Sequence, residues 1–184
     1  MGSAASRQPS VSGMPMKTCR DAVMEDGEAL ARVWVEAWQA AYAGLMPAEY
    51  LAGLDAESGL ERFEQAIRAG TSILALERDS SLVGFSCYGS SRDADADART
   101  GEVIAINLRP SHWRRGLGRV LLDETVRRLR EREFSEVTLW VLQGNARARN
   151  FYEALGWLPD GGERHDDKLT GFPLQEVRYR RRLP

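Results

Sequence analysis

Apolar and polar residues along this chain recur with two different periods, and the switches between them outline short helices and strands. Leu30, Val33, Trp34, Ala37, Trp38 and Ala41 fall at steps of three and four, the spacing that lays an apolar stripe along one helix face. Asp26 stands where an N-cap is expected, and Gly44 with Pro47 closes the segment. A second helix is predicted over Leu60–Ala69, stopped by Gly70. Leu117, Leu121, Leu122, Thr125, Val126 and Leu129 mark a third, and Ala148, Phe151, Tyr152 and Leu155 a shorter fourth that runs from Asn145 to Gly156. Strands are predicted near Lys17–Arg20, over Ser72–Glu77 and Leu82–Tyr88 with the turn Arg78–Ser81 between them, and over Glu102–Leu108, closed by Pro110. Val137–Leu142 reads as a buried strand and Val177–Arg180 as a final one. This mixed order with several hairpins indicates an α/β layer fold around a mixed sheet.

Composition narrows the class. Of 184 residues, 43% are apolar and 28% charged, the balance of an ordinary globular protein, and the length suits one domain better than two. Residues 1–15 are small, polar and aperiodic, so they read as a disordered leader, and one domain is expected from 16 to 184. No apolar run approaches the ~20 residues that cross a bilayer, and no secretory pattern opens the chain, so no membrane partner and a cytoplasmic location are expected. A net charge of -2 advertises no nucleic acid. The basic groups at Arg127–Arg132 and Arg178–Arg182 are interleaved with acids or alternate along a strand, and read as solvated faces. Cys19 and Cys87 are far apart, and His112 and His165 stand alone, so free thiols and no metal site are expected.

The sharpest local feature is Trp113-Arg114-Arg115-Gly116-Leu117-Gly118-Arg119, between the strand that ends at Leu108 and the helix that begins near Leu117. A helix N-terminus exposes unpaired N–H groups and a partial positive charge. Glycines at alternate positions let the backbone turn and let an anion approach closely. Such a segment suits a phosphate, with Arg114, Arg115 and Arg119 adding formal charge; a plain strand–helix connection would look much the same. No Gly-Lys-Ser/Thr follows, and the third glycine of the dinucleotide fingerprint is missing.

With that cradle in place the chain resembles the GNAT superfamily of N-acetyltransferases, whose signature is a strand, then Gln/Arg-x-x-Gly-x-Gly/Ala, then a helix. A second segment, Asn145-Ala-Arg-Ala-Arg-Asn150-Phe151-Tyr152-Glu-Ala-Leu-Gly156-Trp157, is similar to the family's Asn-x-x-Ala-x-x-Phe-Tyr-x-x-x-Gly-Phe. Trp38-x-x-x-Tyr42-x-Gly44-Leu45 and Glu176-Val-Arg-Tyr179 also resemble bacterial members, so the likeness spans residues 17–182. It implies a mixed, mostly antiparallel sheet of six to seven strands flanked by about four helices, with the central strands splayed to admit a pantetheine arm. It implies acetyl-CoA as co-substrate, without a metal. The amides of Arg114, Arg115, Gly116, Leu117, Gly118 and Arg119 would hold the pyrophosphate, and the backbone of Ile106 and Leu108 would pair with the pantetheine like an added strand. Asn145 and Asn150 would also contact the cofactor. A homodimer is expected from the habit of the family. Two positions depart from the pattern. Trp113 stands where Gln or Arg is usual, so a side-chain phosphate contact falls to Arg114. Glu133 stands where glycine is common after the helix, and a left-handed residue there is strained by ~1 kcal/mol.

Acetyl transfer to an amine needs a deprotonated amine, since an alkyl ammonium has a pKa near ~10.4, and a proton for the departing thiolate. The resemblance puts the Tyr152 hydroxyl near the sulfur as general acid; a core tyrosine satisfied locally is the other reading. Glu102 shares strand parity with Ile104, Ile106 and Leu108 and is the candidate base, unless it is a solvated carboxylate or a bulge reverses the parity. Trp38 and Tyr42 would line the acceptor pocket or, like Trp34, belong to the core. The acceptor is a small-molecule or peptide amine, and the Asp93, Asp95, Asp97 loop suits a cationic one as well as it suits plain solvation. Between an N-acetyltransferase and a non-catalytic acyl-CoA-binding module, turnover with any amine decides.

Overall fold

The apolar runs predicted as strands lack the alternation of a half-solvated strand because helices cover both faces of the sheet they form. A computed structural model describes residues 16–167, 170–171 and 173–184; the leader expected over residues 1–15 lies outside the described residues. The elements run β1 (Lys17–Asp21), α1 (Gly27–Ala41), α2 (Ala48–Ala52), α3 (Ala56–Arg68), β2 (Ser72–Arg78), β3 (Ser81–Ser90), β4 (Thr100–Leu108), α4 (Leu117–Glu131), β5 (Glu136–Leu142), α5 (Ala146–Ala154), β6 (Leu158–Asp166) and β7 (Leu174–Arg182). The seven strands form one sheet in the order β1-β2-β3-β4-β5-β7-β6, antiparallel except where β4 meets β5.

Side-chain alternation sorts the core to the two faces. Ile73 and Ala75 of β2 join Leu30, Val33, Trp34, Phe63 and Phe85 under α1 and α3. Leu74 and Leu76 join Leu121, Leu122, Leu139 and Tyr152 under α4 and α5. A smaller group, Met46, Leu51 and Leu142, closes the end near α2.

The sheet parts at its centre. β4 and β5 pair from Thr100↔Glu136 to Val103↔Leu139 and no further. At that point β4 bulges, because Cys87 of β3 opposes Ala105 whereas its neighbour Tyr88 opposes Val103, which leaves Ile104 as the extra residue. A bulge bends and twists its strand, here away from β5, and so opens the predicted splay.

Two helix-end predictions resolve differently. Asp26 does not cap α1: its carboxylate is bonded to the Arg20 guanidinium (2.7 and 2.8 Å) and to the Val23 N–H (2.8 Å), so the backbone of α1 gets no bond from it. Glu133, two residues past α4, has φ +65°, the left-handed geometry that favours glycine. Glu133→Gly is therefore expected to stabilise the protein by about 1 kcal/mol, a rise in Tm of roughly 2–4 °C for a chain of this size. A melting curve that shows no gain would mean the turn holds glutamate without strain.

The C-terminal arginines depart from the solvated-face reading. Arg178 is buried and its guanidinium meets Asp93, Asp95 and Asp160 at 2.6–3.2 Å. Arg180 pairs with Asp160 and Glu136. The helix arginines do follow their neighbouring acids, Arg127 bonding Glu124 and Glu131, and Arg128 bonding Glu124 and Asp21. No helix among the described residues is long and apolar enough to cross a membrane.

Candidate active site

The gap between β4 and β5 continues into a cavity of 910 Å³ that passes from one face of the sheet to the other. Gly116, Gly118, Phe151 and Tyr152 line it from the α4–α5 side, and Trp34, Trp38, Phe63, Cys87 and Trp140 from the α1–α3 side.

The predicted anion cradle forms the first end. Arg114 has φ +59° and Gly116, which precedes α4, has φ +75°. This alternation curls successive N–H groups toward one side, the backbone concavity that suits an anion. The first helical bond here runs from the Val120 N–H to the Gly116 carbonyl (3.2 Å), so the amides of Leu117, Gly118 and Arg119 are the open first turn. A Cβ on Gly118 would meet Phe151 at 3.3 Å and Leu108 at 3.5 Å, so a small residue lets α4 start close against α5 and the end of β4. Leu117 is buried and anchors the helix, whereas Arg114 and Arg119 line the cavity and Arg115 is exposed beside it.

Trp113, the departure from the family pattern, ties the cradle to the slot. Its indole N–H donates to the Leu108 carbonyl (2.9 Å), and the Arg147 guanidinium lies 3.5 Å from its ring centroid. The cation that Trp113 lacks is thus supplied by α5, a contact that sequence spacing could not reveal.

Along the slot, Arg109 donates its N–H to Val83 of β3 (2.9 Å). Strand alternation then turns Asn107 and Ala105 toward β3, and the peptide edges of Leu108 and Ile106 toward the opening. Asn145 lines the cavity, with its side-chain oxygen accepting from Ala148 N–H (3.1 Å) as the N-cap of α5. Asn150 sits on the exposed face of α5 and does not line the cavity.

Tyr152 is buried with its ring against Phe151, Trp157 and Tyr179. Among the described residues no hydrogen-bond partner takes its hydroxyl. Tyr179 differs: its hydroxyl accepts from Arg149 (3.0 Å) and donates to Glu153 (2.5 Å). Burial pushes the Tyr152 phenol well above its usual range, with a smaller push from Tyr42. Tyr42 is pushed up to about 12, by burial first and then by Glu176. Trp38 and Tyr42 both line the cavity and pack edge to face at 5.0 Å, with Trp34 5.6 Å from Trp38.

Glu102 is 2% exposed and lies beneath Arg92. Its carboxylate accepts from Arg92 Nη2 (2.6 Å), Nε (3.0 Å) and backbone N–H (3.1 Å). Arg92 lines the cavity and Glu102 does not. The Ile104 bulge breaks the regular parity on which the sequence argument for Glu102 depended. Among the described residues the carboxylate that lines the cavity is Glu176 of β7, bonded to Arg164 (2.7 Å). The Asp93–Asp97 loop does not offer its acids to a cationic acceptor. Asp93 and Asp95 are held by Arg178, Asp93 also accepts from the Trp140 indole N–H (2.9 Å), and Asp97 accepts from Thr100 (2.8 Å).

Comparison with known proteins identifies this arrangement. The model of the acetyltransferase (GNAT) family matches residues 30–157. The chain belongs to that family. It is accordingly an acyltransferase. Over 162 residues, 88% of this chain and 91% of the relative, it is 29% identical to YuaI of Bacillus subtilis (strain 168), named an uncharacterized N-acetyltransferase. It is 26% identical to a spermidine N(1)-acetyltransferase of Thermoplasma acidophilum, covering 73% of this chain and 83% of that one. The PaiA N-acetyltransferase of the same organism, solved in complex with coenzyme A, superimposes with a TM-score of 0.68 at 22% identity, over 91% of this chain and 99% of that one. That likeness bears out the fold expected from the sequence.

Proposed function

We propose that this acetyltransferase uses acetyl-CoA and passes its acetyl group to a primary amine by direct attack in a ternary complex. The observation that carries the reading is the end of β4–β5 pairing at Val103↔Leu139, which opens a slot onto the unpaired amides at the start of α4. The donors suit the ligand: curled N–H groups and the cations Arg114, Arg119 and Arg147 for phosphates, and a strand edge at Ile106 and Leu108 for an amide-bearing arm. Bound acetyl-CoA supplies an activated acetyl thioester. Asn145 holds the start of α5, and with it Tyr152, against the slot; Asn150 meets the cofactor only at its outer end.

In this reading Tyr152 donates a hydrogen bond to the leaving sulfur, and its raised pKa keeps the donor protonated at every working pH. Trp38 and Tyr42 wall the acceptor amine. Glu102 acts as a positioning residue that fixes Arg92, because taking the amine proton would require it to release that guanidinium. Glu176, bonded to Arg164 through one oxygen where Glu102 has both engaged by Arg92, receives the proton through water. Holding the amine beside the thioester supplies much of the acceleration.

Thermal unfolding with and without acetyl-CoA, followed by free-thiol release over an amine panel, tests this. At 100 times its dissociation constant a ligand adds about 2.7 kcal/mol, roughly 5–10 °C in Tm here. A Tm unmoved at saturating acetyl-CoA would overturn the reading of the cradle and slot. Stabilisation without thiol release from any amine would leave acyl-CoA binding without catalysis on this substrate range.

A further inference from the structure

The charge lining the cavity is lopsided at both ends. Around the cradle Arg114, Arg119 and Arg147 are explained by phosphates. The α1–α3 side has its own cations, which phosphates at the cradle do not explain. Arg62 of α3, Arg92 of the loop after β3 and Arg164 of β6 all line the same cavity. They come from segments remote in sequence, so their convergence is a product of the fold.

Each guanidinium is held in place. Arg62 lies over Trp34 at 5.5 Å from the ring centroid, and Arg164 over Trp140 at 4.2 Å. Stacking on an indole fixes the guanidinium plane and leaves its edge N–H groups directed outward. Arg92 is braced by Glu102, and Arg164 by Glu176. Cys87 lines the same cavity as Arg62 and Arg92. Glu102 and Glu176 each offset one of these charges, whereas Arg62 has no ion pair among the described residues. Asp93 and Asp95 face Arg178.

We infer that the acceptor is a small amine that also carries a carboxylate or a phosphate, gripped by Arg62, Arg92 and Arg164 while its amino group faces the thioester. This rests on the acetyl-transfer reading above. A planar guanidinium matches the two oxygens of such an anion with parallel N–H donors, whereas a polycation such as a polyamine would meet the uncompensated charge of Arg62. The aromatic walls at Trp34, Trp38 and Trp140 suit the apolar part of the molecule.

The test uses matched pairs that differ in the anion alone: O-phosphoethanolamine against ethanolamine, and L-phenylalanine against L-phenylalaninamide, with spermidine as the polycation. Thiol release gives kcat/KM, and tryptophan fluorescence of the CoA-loaded protein gives binding where turnover is too slow to read. The anionic member of at least one pair is expected to be preferred tenfold or more in kcat/KM or in affinity. That ratio is expected to fall at least fivefold in Arg62→Gln and in Arg164→Gln. The first side chain is exposed at its helix surface and the second sits on an edge strand, so both variants should fold, as their melting curves would verify. A ratio near one in both pairs, a preference for spermidine, or ratios unmoved by both substitutions would overturn the inference and leave acetyl transfer intact. Failure of acetyl-CoA to raise Tm would instead overturn the acetyl-transfer reading itself, and this inference with it.

Discussion

Replacing Tyr152 by Phe is expected to lower kcat at least a hundredfold while acetyl-CoA affinity stays within about twofold, the span usual for loss of a positioned proton donor. The ring is a structural member of the core, in contact with Phe151, Trp157 and Tyr179, and Phe keeps all of those contacts. The hydroxyl is different. Tyr152 lines the cavity and its hydroxyl has no partner among the described residues, so the substitution leaves no protein group orphaned and Tm should hold. What is lost is the donor to the departing sulfur. A thiol has a pKa near ~8.5, below that of the raised phenol, so full proton transfer to the thiolate is uphill. The hydroxyl then acts chiefly by stabilising charge on sulfur as the bond breaks, as a preorganised donor. Since the phenol stays protonated, the alkaline side of the wild-type pH–rate profile should not reflect Tyr152. Steady-state kinetics with a saturating amine, beside an acetyl-CoA titration, separate the terms. A kcat within threefold of wild type would remove Tyr152 from the chemistry.

How far the sequence reaches differs across the site. The cradle is legible because it is local: Arg114 to Arg119 are consecutive, and the glycine pattern, the turn and the helix start are all set within a few residues. Helices α1, α3 and α4 are legible for a similar reason, since the apolar step of three and four is imposed by one face of one helix. β6 was not predicted. Leu158–Asp166 is a polar edge strand with Gly161 and Gly162 at its irregular register, and edge strands avoid the apolar alternation by which inner strands are recognised. α2 has five residues, too few for a period. At the α1–α3 side Trp38 and Tyr42 were legible from one helix, but the cavity arginines escaped because they are far apart in the chain and unremarkable singly. Arg62, Arg92 and Arg164 look like surface arginines until the fold aims them into one cavity. Glu102 was placed by parity, and parity fails across a bulge that no local pattern announces. The Asp93 loop, open in sequence between a cationic acceptor and plain solvation, takes a third role because its partner Arg178 lies 85 residues on.

Arg178→Met is expected to cost about 3–5 kcal/mol, the loss usual when one partner of a buried ion pair is removed, and to lower Tm by roughly 6–20 °C. Arg178 is 10% exposed at its side chain, Asp93 9% and Asp160 15%. Methionine fills most of the volume but leaves Asp93 buried without a counter-charge, whereas Asp160 keeps Arg180. Asp95 is more exposed, and water can take the place of its partner. Arg178→Lys should fall between the two, because an ammonium cannot meet three carboxylates with the spread of a guanidinium. The pH dependence identifies the cause. Arg178 holds the Asp95 carboxyl down at about 2, below its ordinary 3.8. A depressed carboxylate contributes stability that is complete above its unfolded pKa and is lost as pH falls through the folded one, so wild type weakens between about pH 4 and 2. In the methionine variant the stranded Asp93 behaves oppositely: burial without a partner penalises the charged form, and protonation on acidification relieves the cost of keeping it inside. The gap between the two proteins should therefore be widest near neutrality and close toward pH 4. Chemical unfolding across that range measures it. A gap within about 1 kcal/mol at pH 7, or one that does not change with pH, would mean that shape rather than charge keeps the Asp93 loop against β7. If the gap behaves as expected, the same cluster that fixes the loop also fixes Trp140 through Asp93 and sets Arg92 at the cavity wall, so the stability of this corner and the geometry of the acceptor end have one origin.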